Sequence, residues 1–119
     1  MIVAVVPDLF FAAKLQATAR TTGAELALVL PAQALERCAA APPVRVLLDL
    51  HAGGALELVR ALKADARTAR IPVVGFYSHV ETALRRDALA AGVDEALPRS
   101  AFVTRLPALL SDAATPSPS

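Results

Sequence analysis

Short apolar runs recur along this chain, and each is followed by a stretch with helical character. The first run, Ile2–Val6, is unbroken and mostly β-branched, which is typical of a strand buried on both faces of a sheet. Further apolar runs lie at residues 25–30, 44–48, 71–77 and 95–97. Because parallel strands need a crossover between them, this alternation predicts a parallel sheet covered by helices.

Residues that start and stop helices delimit these units. Asp8 is the predicted N-cap of a helix that ends before Gly23, and Pro31 begins a second helix. Ser100 is predicted to cap a final helix that continues through Leu110. Five strand–helix units in 119 residues predict an α/β domain of the flavodoxin-like, doubly wound (βα)5 type. The expected five-stranded parallel sheet has the order 2-1-3-4-5.

Composition narrows the class of protein. Hydrophobic residues make up 55% and charged residues 19% of the chain, and the formal net charge is +1 with no basic block. Cys38 is the single cysteine, which fits a reducing compartment. We expect one domain over residues 1–112 and a disordered Pro/Ser tail over residues 113–119. These features predict a soluble, cytoplasmic protein that binds neither nucleic acid nor membrane.

The predicted sheet places the candidate site at the carboxyl ends of its strands. Ligands of open parallel sheets bind there, where the strand order reverses, which is between the first and third strands. Asp8 and Asp49 follow or end these two strands, and two carboxylates there could share a divalent cation. The remaining residues expected at this edge are His51, Tyr77, Ser78, His79 and Arg99.

Simpler interpretations accompany several of these residues. Asp8 could serve only as an N-cap, and the spacing of His51 and His79 matches no zinc site. Ser78 lacks the Gly-x-Ser-x-Gly context of a hydrolase nucleophile. The Gly53-Gly54 pair lacks the spacing of a phosphate-binding loop. The sequence therefore contains no recognised enzyme motif.

Two stretches carry a resemblance to a known family. Leu58–Val74, with the sequence LVRALKADARTARIPVV, looks like the third helix, loop and fourth strand of many receiver domains. Ala90–Asp94 fits the turn that precedes their fifth strand. From residue 1 to about residue 111, the chain resembles the receiver domain of two-component response regulators.

The resemblance implies roles for individual residues. Asp49 matches the aspartate that receives a phosphoryl group, and Asp8 matches the second acid of the pair that helps hold magnesium. His51 would offer its backbone carbonyl as a further magnesium ligand. Arg99 stands where receiver domains carry a lysine, and Pro7 stands where they carry the first acid.

The switch residues also depart from the family pattern. Tyr77 occupies the position of a small hydroxyl residue, although Ser78 lies next to it, and Ala96 replaces the aromatic switch residue. We expect the Tyr77 ring to fill the space left at Ala96, which would fix the site in one arrangement. We also expect the planar guanidinium of Arg99 to pair with the Asp49 carboxylate.

These departures favour a degenerate receiver, or pseudo-receiver, that lacks phosphotransfer, catalytic activity and a cofactor. It would be a stand-alone signalling module that contacts a protein partner or a separate effector. The partner surface would be the fourth helix, fifth strand and fifth helix, where Arg85 and Arg86 are expected to be solvated. The corner formed by Phe10 and Phe11 is the other candidate, with one ring expected to pack inside.

Two alternatives stay open at this point. One is a working receiver that is phosphorylated on Asp49, with magnesium held by Asp8, Asp49 and the carbonyl of His51. The other is a small-ligand or nucleotide sensor that uses the strand-end cleft lined by His51, Tyr77, His79 and Arg99.

Overall fold

Five parallel strands form a single sheet. The computed structural model describes residues 1–111. The strands run in the order β2-β1-β3-β4-β5, and every neighbouring pair is parallel, as the sequence predicts. Their bounds are β1 Ile2–Val5, β2 Leu26–Leu28, β3 Arg45–Asp49, β4 Val73–Tyr77 and β5 Glu95–Pro98.

Helices cover both faces of this sheet. They are α1 Leu9–Thr22, α2 Pro31–Ala40, α3 Ala55–Ala64, α4 Thr82–Ala91, α5 Arg99–Thr104 and α6 Leu106–Leu109. Apolar residues of α1, α5 and α6 form one core with one face of the sheet, and those of α2, α3 and α4 form the other core. The central strands β1, β3 and β4 are therefore buried on both faces, which explains their continuous apolar sequence.

Local signals begin and end the first helix where they were predicted to. The Asp8 side chain accepts hydrogen bonds from the backbone N–H groups of Phe10 and Phe11, so it is the N-cap of α1. Gly23 ends the helix with a φ of 76°, a left-handed conformation that glycine adopts without a Cβ clash.

The C-terminal helical region differs from the prediction. The helix begins at Arg99 with no side-chain cap, so Ser100 is not its N-cap. It also stops at Thr104, and the separate helix α6 begins at Leu106. Pro107 explains the interruption, because proline has no N–H to donate and is tolerated only in the first turn of a helix. The prediction of one continuous helix through Leu110 was therefore wrong.

Arg45 anchors this C-terminal region to the sheet. It is buried at the amino-terminal end of β3, and its Nη1 donates hydrogen bonds to the carbonyl oxygens of Leu109, at 2.8 Å, and Ser111, at 2.5 Å. A buried guanidinium is stable only when its donors are satisfied. These bonds hold α6 and the chain beyond it at the amino edge of the sheet.

The predicted disorder of residues 113–119 falls outside the described residues. Across residues 1–111, no helix has both the length and the apolar content needed to cross a lipid bilayer.

Candidate functional site

Strand register brings the candidate residues to one edge of the sheet. Val5 of β1 lies opposite Leu48 of β3, and Asp49 lies opposite Phe76 of β4. Tyr77 in turn lies opposite Pro98 of β5. The segments that carry Asp8, Asp49, Ser78 and Arg99 therefore emerge at the same edge, as the sequence predicts.

Asp49 is a buried carboxylate at the centre of this edge. Its side chain is 8% exposed, and Oδ1 accepts a hydrogen bond from the backbone N–H of His51 at 2.9 Å. Within residues 1–111, no lysine, arginine or histidine forms an ion pair with it. A buried charge without a counter-charge is costly, so this carboxylate is electrostatically suited to a cation.

The Asp8 side chain is already engaged in capping α1. It is exposed, and its Oδ1 is occupied by the N–H groups of Phe10, at 2.9 Å, and Phe11, at 3.2 Å. Only its second oxygen is left for a metal, and Pro7 supplies no acid beside it. In the part of the chain that the structure describes, no three His, Cys, Asp or Glu side chains gather into a metal-binding group.

The imidazole of His51 has a structural function that the sequence did not reveal. Its Nε2 accepts a hydrogen bond from the backbone N–H of Ser78 at 2.9 Å. The imidazole thus acts as a hydrogen-bond acceptor at this nitrogen. His51 thereby ties the loop after β3 to the end of β4. His79 is exposed and makes no such contact among the described residues.

Arg99 does not pair with Asp49, which corrects the sequence prediction. Its guanidinium carbon lies 4.7 Å from the centroid of the Phe11 ring and 5.1 Å from that of Phe76. The strand ends at Pro98, and Arg99 starts α5, so its side chain lies over the core formed with α1. Aromatic faces attract a planar cation there.

The sequence did not predict the aromatic cluster that lies beneath Arg99. The rings of Phe11 and Phe76 meet edge to face with centroids 4.9 Å apart, and Phe76 lies 4.6 Å from Phe102. These rings come from α1, β4 and α5, so no local pattern links them. The one available signal was arginine at the lysine position, because arginine stacks on aromatic rings more readily than lysine does.

Tyr77 is a buried aromatic residue at the end of β4. Tyr77 is 5% exposed and lies in the same core as Ala96, on the face of the sheet covered by α4. Its hydroxyl makes no hydrogen bond to another group among residues 1–111. Ala96 lies opposite Gly75, two residues before Tyr77. That the Tyr77 ring fills the space beside Ala96 therefore stays a prediction. Ser78, the neighbouring hydroxyl residue, is half-buried just beyond the strand.

The predicted contact residues separate into exposed and buried ones. Phe10 is exposed, whereas Phe11 is buried in the aromatic cluster and is unavailable to a partner. The expectation that one of the two rings packs inside is confirmed, since Phe11 packs against Phe76, and Phe10 is the ring that stays available to a partner. Arg85 and Arg86 are exposed on α4, as expected of a solvated face.

Comparison with solved structures identifies the fold. A response regulator from Hahella chejuensis superimposes with a TM-score of 0.79 at 19% identity, covering 92% of this chain and 90% of that one. The receiver domain of NtrX from Brucella abortus gives 0.77 at 19% identity, covering 92% and 93%. The receiver domain of a sensor histidine kinase from Pseudomonas aeruginosa gives 0.73 at 19% identity, covering 92% and 95%. No protein-family model and no curated protein matches the chain.

Proposed function

We propose that this chain, which has the fold of response-regulator receiver domains, is a signalling module that acts through protein–protein contacts without phosphotransfer. It has no catalytic activity of its own in this proposal. Its signal is carried by the shape of its surface, because the residues that would change shape upon phosphorylation are replaced.

The position of Arg99 is the observation that carries this proposal. In receiver domains the matching lysine serves the phosphorylation site, whereas the guanidinium of Arg99 stacks on Phe11 and Phe76. Moving it to Asp49 would give up both cation–π contacts. Pro7 and the buried ring of Tyr77 add to the argument, because neither can fulfil the role of the residue it replaces.

Titration with magnesium and beryllofluoride, a mimic of the phosphoryl group, tests the proposal. We expect no saturable change in the backbone amide shifts of Asp49, Ser78 and Arg99. A triple variant with Pro7→Asp, Tyr77→Thr and Arg99→Lys is the matched control, because it restores the residues of the family pattern. Saturation of the wild-type protein at millimolar magnesium would overturn the proposal.

A working receiver is the second candidate, and one observation favours it. Asp49 is buried, and no ion pair within residues 1–111 balances its charge. Magnesium would be held by Asp49, the second oxygen of Asp8 and the carbonyl of His51, and it would neutralise charge there. The Pseudomonas receiver domain has a magnesium ion coordinated in its active-site cleft. The same titration separates the two candidates.

The ligand-sensor alternative is weakened by the side chains it would use. The Tyr77 ring is buried, and the His51 ring accepts the Ser78 N–H. Arg99 lies against aromatic rings. The fourth cleft residue, His79, is exposed, and among the described residues it makes neither a hydrogen bond nor a ring contact.

A further inference from the structure

An apolar surface surrounds Leu30, which follows the carboxyl end of β2. A groove of about 630 Å³ lies between α2 and α3. A second groove of about 220 Å³ lies between the end of β1, the start of α1 and the end of β2. Leu30 and Pro31 line both grooves, so the two form one continuous surface, which we call the Leu30 face.

The shape of the larger groove suits a helix. It runs between two neighbouring helices, α2 and α3, which pack against each other on one face of the sheet. Small residues line much of it, including Ala32, Ala61 and the pair Gly53-Gly54. Grooves between helices accept the ridge of side chains that another helix presents at intervals of three and four residues.

The charge that lines the two grooves is negative. Glu57 is the one charged residue that lines either groove, and no lysine or arginine of the described chain lines them. Asp8 is exposed next to Leu9, which lines the smaller groove. An occupant that carries lysine or arginine beside its apolar side chains would complement this surface.

A second copy of this chain fits the Leu30 face poorly. The large apolar residues there that are exposed, Leu9, Leu28 and Leu30, are 83, 38 and 61% exposed. At about 200 Å² for each fully exposed large side chain, they offer roughly 360 Å², whereas a stable dimer buries about 800 Å² per subunit, of which about 450 Å² is apolar. A two-fold dimer through this face would also bring like charges together, which opposes association.

We infer that the Leu30 face binds an amphipathic helix of a partner protein, with leucine-like side chains in the α2–α3 groove and basic residues toward Glu57 and Asp8. The inference rests on the proposed function in one respect, because it takes protein contact as the mode of action. It names a surface different from the face of α4, β5 and α5. On α4 and the turn before it, the exposed large apolar residues are Val80 and Leu89.

Titration of the ¹⁵N-labelled full chain with a synthetic helix tests this inference. The probe is an 18-residue peptide with leucine along one helical face and lysine on the other, and its twin has glutamate in place of lysine. We expect saturable shifts of amides in α2, α3 and residues 28–31 with the lysine peptide. We expect binding of the glutamate twin to be at least tenfold weaker.

Matched variants make the result specific. Leu30→Gln should weaken binding of the lysine peptide at least tenfold, whereas Leu89→Gln on α4 should change it less than twofold. Glu57→Gln should weaken it roughly two- to fivefold, as expected for an exposed charge pair. Circular dichroism of each variant verifies that it is folded, and Leu30 is exposed, so its replacement disturbs no core.

Several results would overturn the inference. They are absence of binding at millimolar peptide, shifts that lie elsewhere, equal affinity for the two peptides, or equal effects of the two leucine variants. Stronger binding to anionic phosphatidylglycerol vesicles would indicate a membrane surface instead. Dimerisation that Leu30→Gln abolishes in sedimentation would indicate a second copy. None of these results depends on beryllofluoride binding, so the inference and the proposed function can fail separately.

Discussion

Replacement of Tyr77 by alanine measures how firmly the candidate switch position is fixed. Tyr77 is 5% exposed, and it belongs to the same apolar core as Ala96, on the face of the sheet that α4 covers. Truncating a buried aromatic residue costs about 3–5 kcal/mol, since it combines lost burial with a cavity. Domains of this kind are stable by about 5–15 kcal/mol, so the variant should lose a large fraction of its stability.

Urea unfolding followed by circular dichroism gives the free energy of unfolding of both proteins. With a slope of about 2 kcal/mol per molar urea, a loss of about 4 kcal/mol lowers the midpoint by about 2 M. Tyr77→Phe is the control, and it should stay within about 1 kcal/mol of wild type, because the hydroxyl has no hydrogen-bond partner among residues 1–111. A loss below about 1 kcal/mol for Tyr77→Ala would refute the reasoning, because it would mean that the ring is not packed.

Three further predictions concern charged side chains. Arg45→Met should lower the free energy of unfolding by about 2–3 kcal/mol in urea titrations, because buried carbonyl groups lose their donor; a loss below about 0.5 kcal/mol would contradict this. Asp49→Asn should leave stability within about 0.5 kcal/mol of wild type or raise it, whereas a loss of about 3–5 kcal/mol would reveal a buried ion pair. Hydrogen bonds from Arg67 lower the pKa of Asp65 from 3.8 to about 2, so this contribution to stability is present above pH 3.8 and is lost as the pH falls toward 2. In Arg67→Ala, the pKa of Asp65 measured by carboxyl ¹³C NMR should rise part of the way toward 3.8, because the side-chain bonds are lost while the backbone N–H of residue 67 still donates. An unchanged pKa would exclude the Arg67 side chain as a cause.

The sheet could be predicted because its determinants are local or periodic. Runs such as Ile2–Val5 are buried on both faces, and Gly23 and Pro31 stop and start helices through their own backbone restrictions. The order of strands followed from the number of crossover units and a known topology. The break before α6 was also within reach of the sequence, since Pro107 cannot donate in the interior of a helix.

The direction of side chains at the site could not be predicted in the same way. Parallel register correctly brings Asp49 and the segment of Arg99 to one edge, but register does not fix where a long side chain points. The rings of Phe11 and Phe76, from two separate elements, decide the position of the guanidinium. The role of the His51 ring likewise depends on the backbone of Ser78, 27 residues away. The burial of Tyr77 follows from its place on β4, a strand that is buried throughout.

The bonds from Arg45 to the carbonyl groups of Leu109 and Ser111 also determine at which edge of the sheet the described chain ends. They hold Leu109 and Ser111 at the amino edge of the sheet, whereas Asp49 and Leu30 lie at the carboxyl edge. A bead, fluorophore or fused protein attached at Ser111 is therefore joined at the edge of the sheet opposite to the cleft. With attachment at Ser111, the cleft and the α2–α3 groove lie on the side of the domain that faces away from the support.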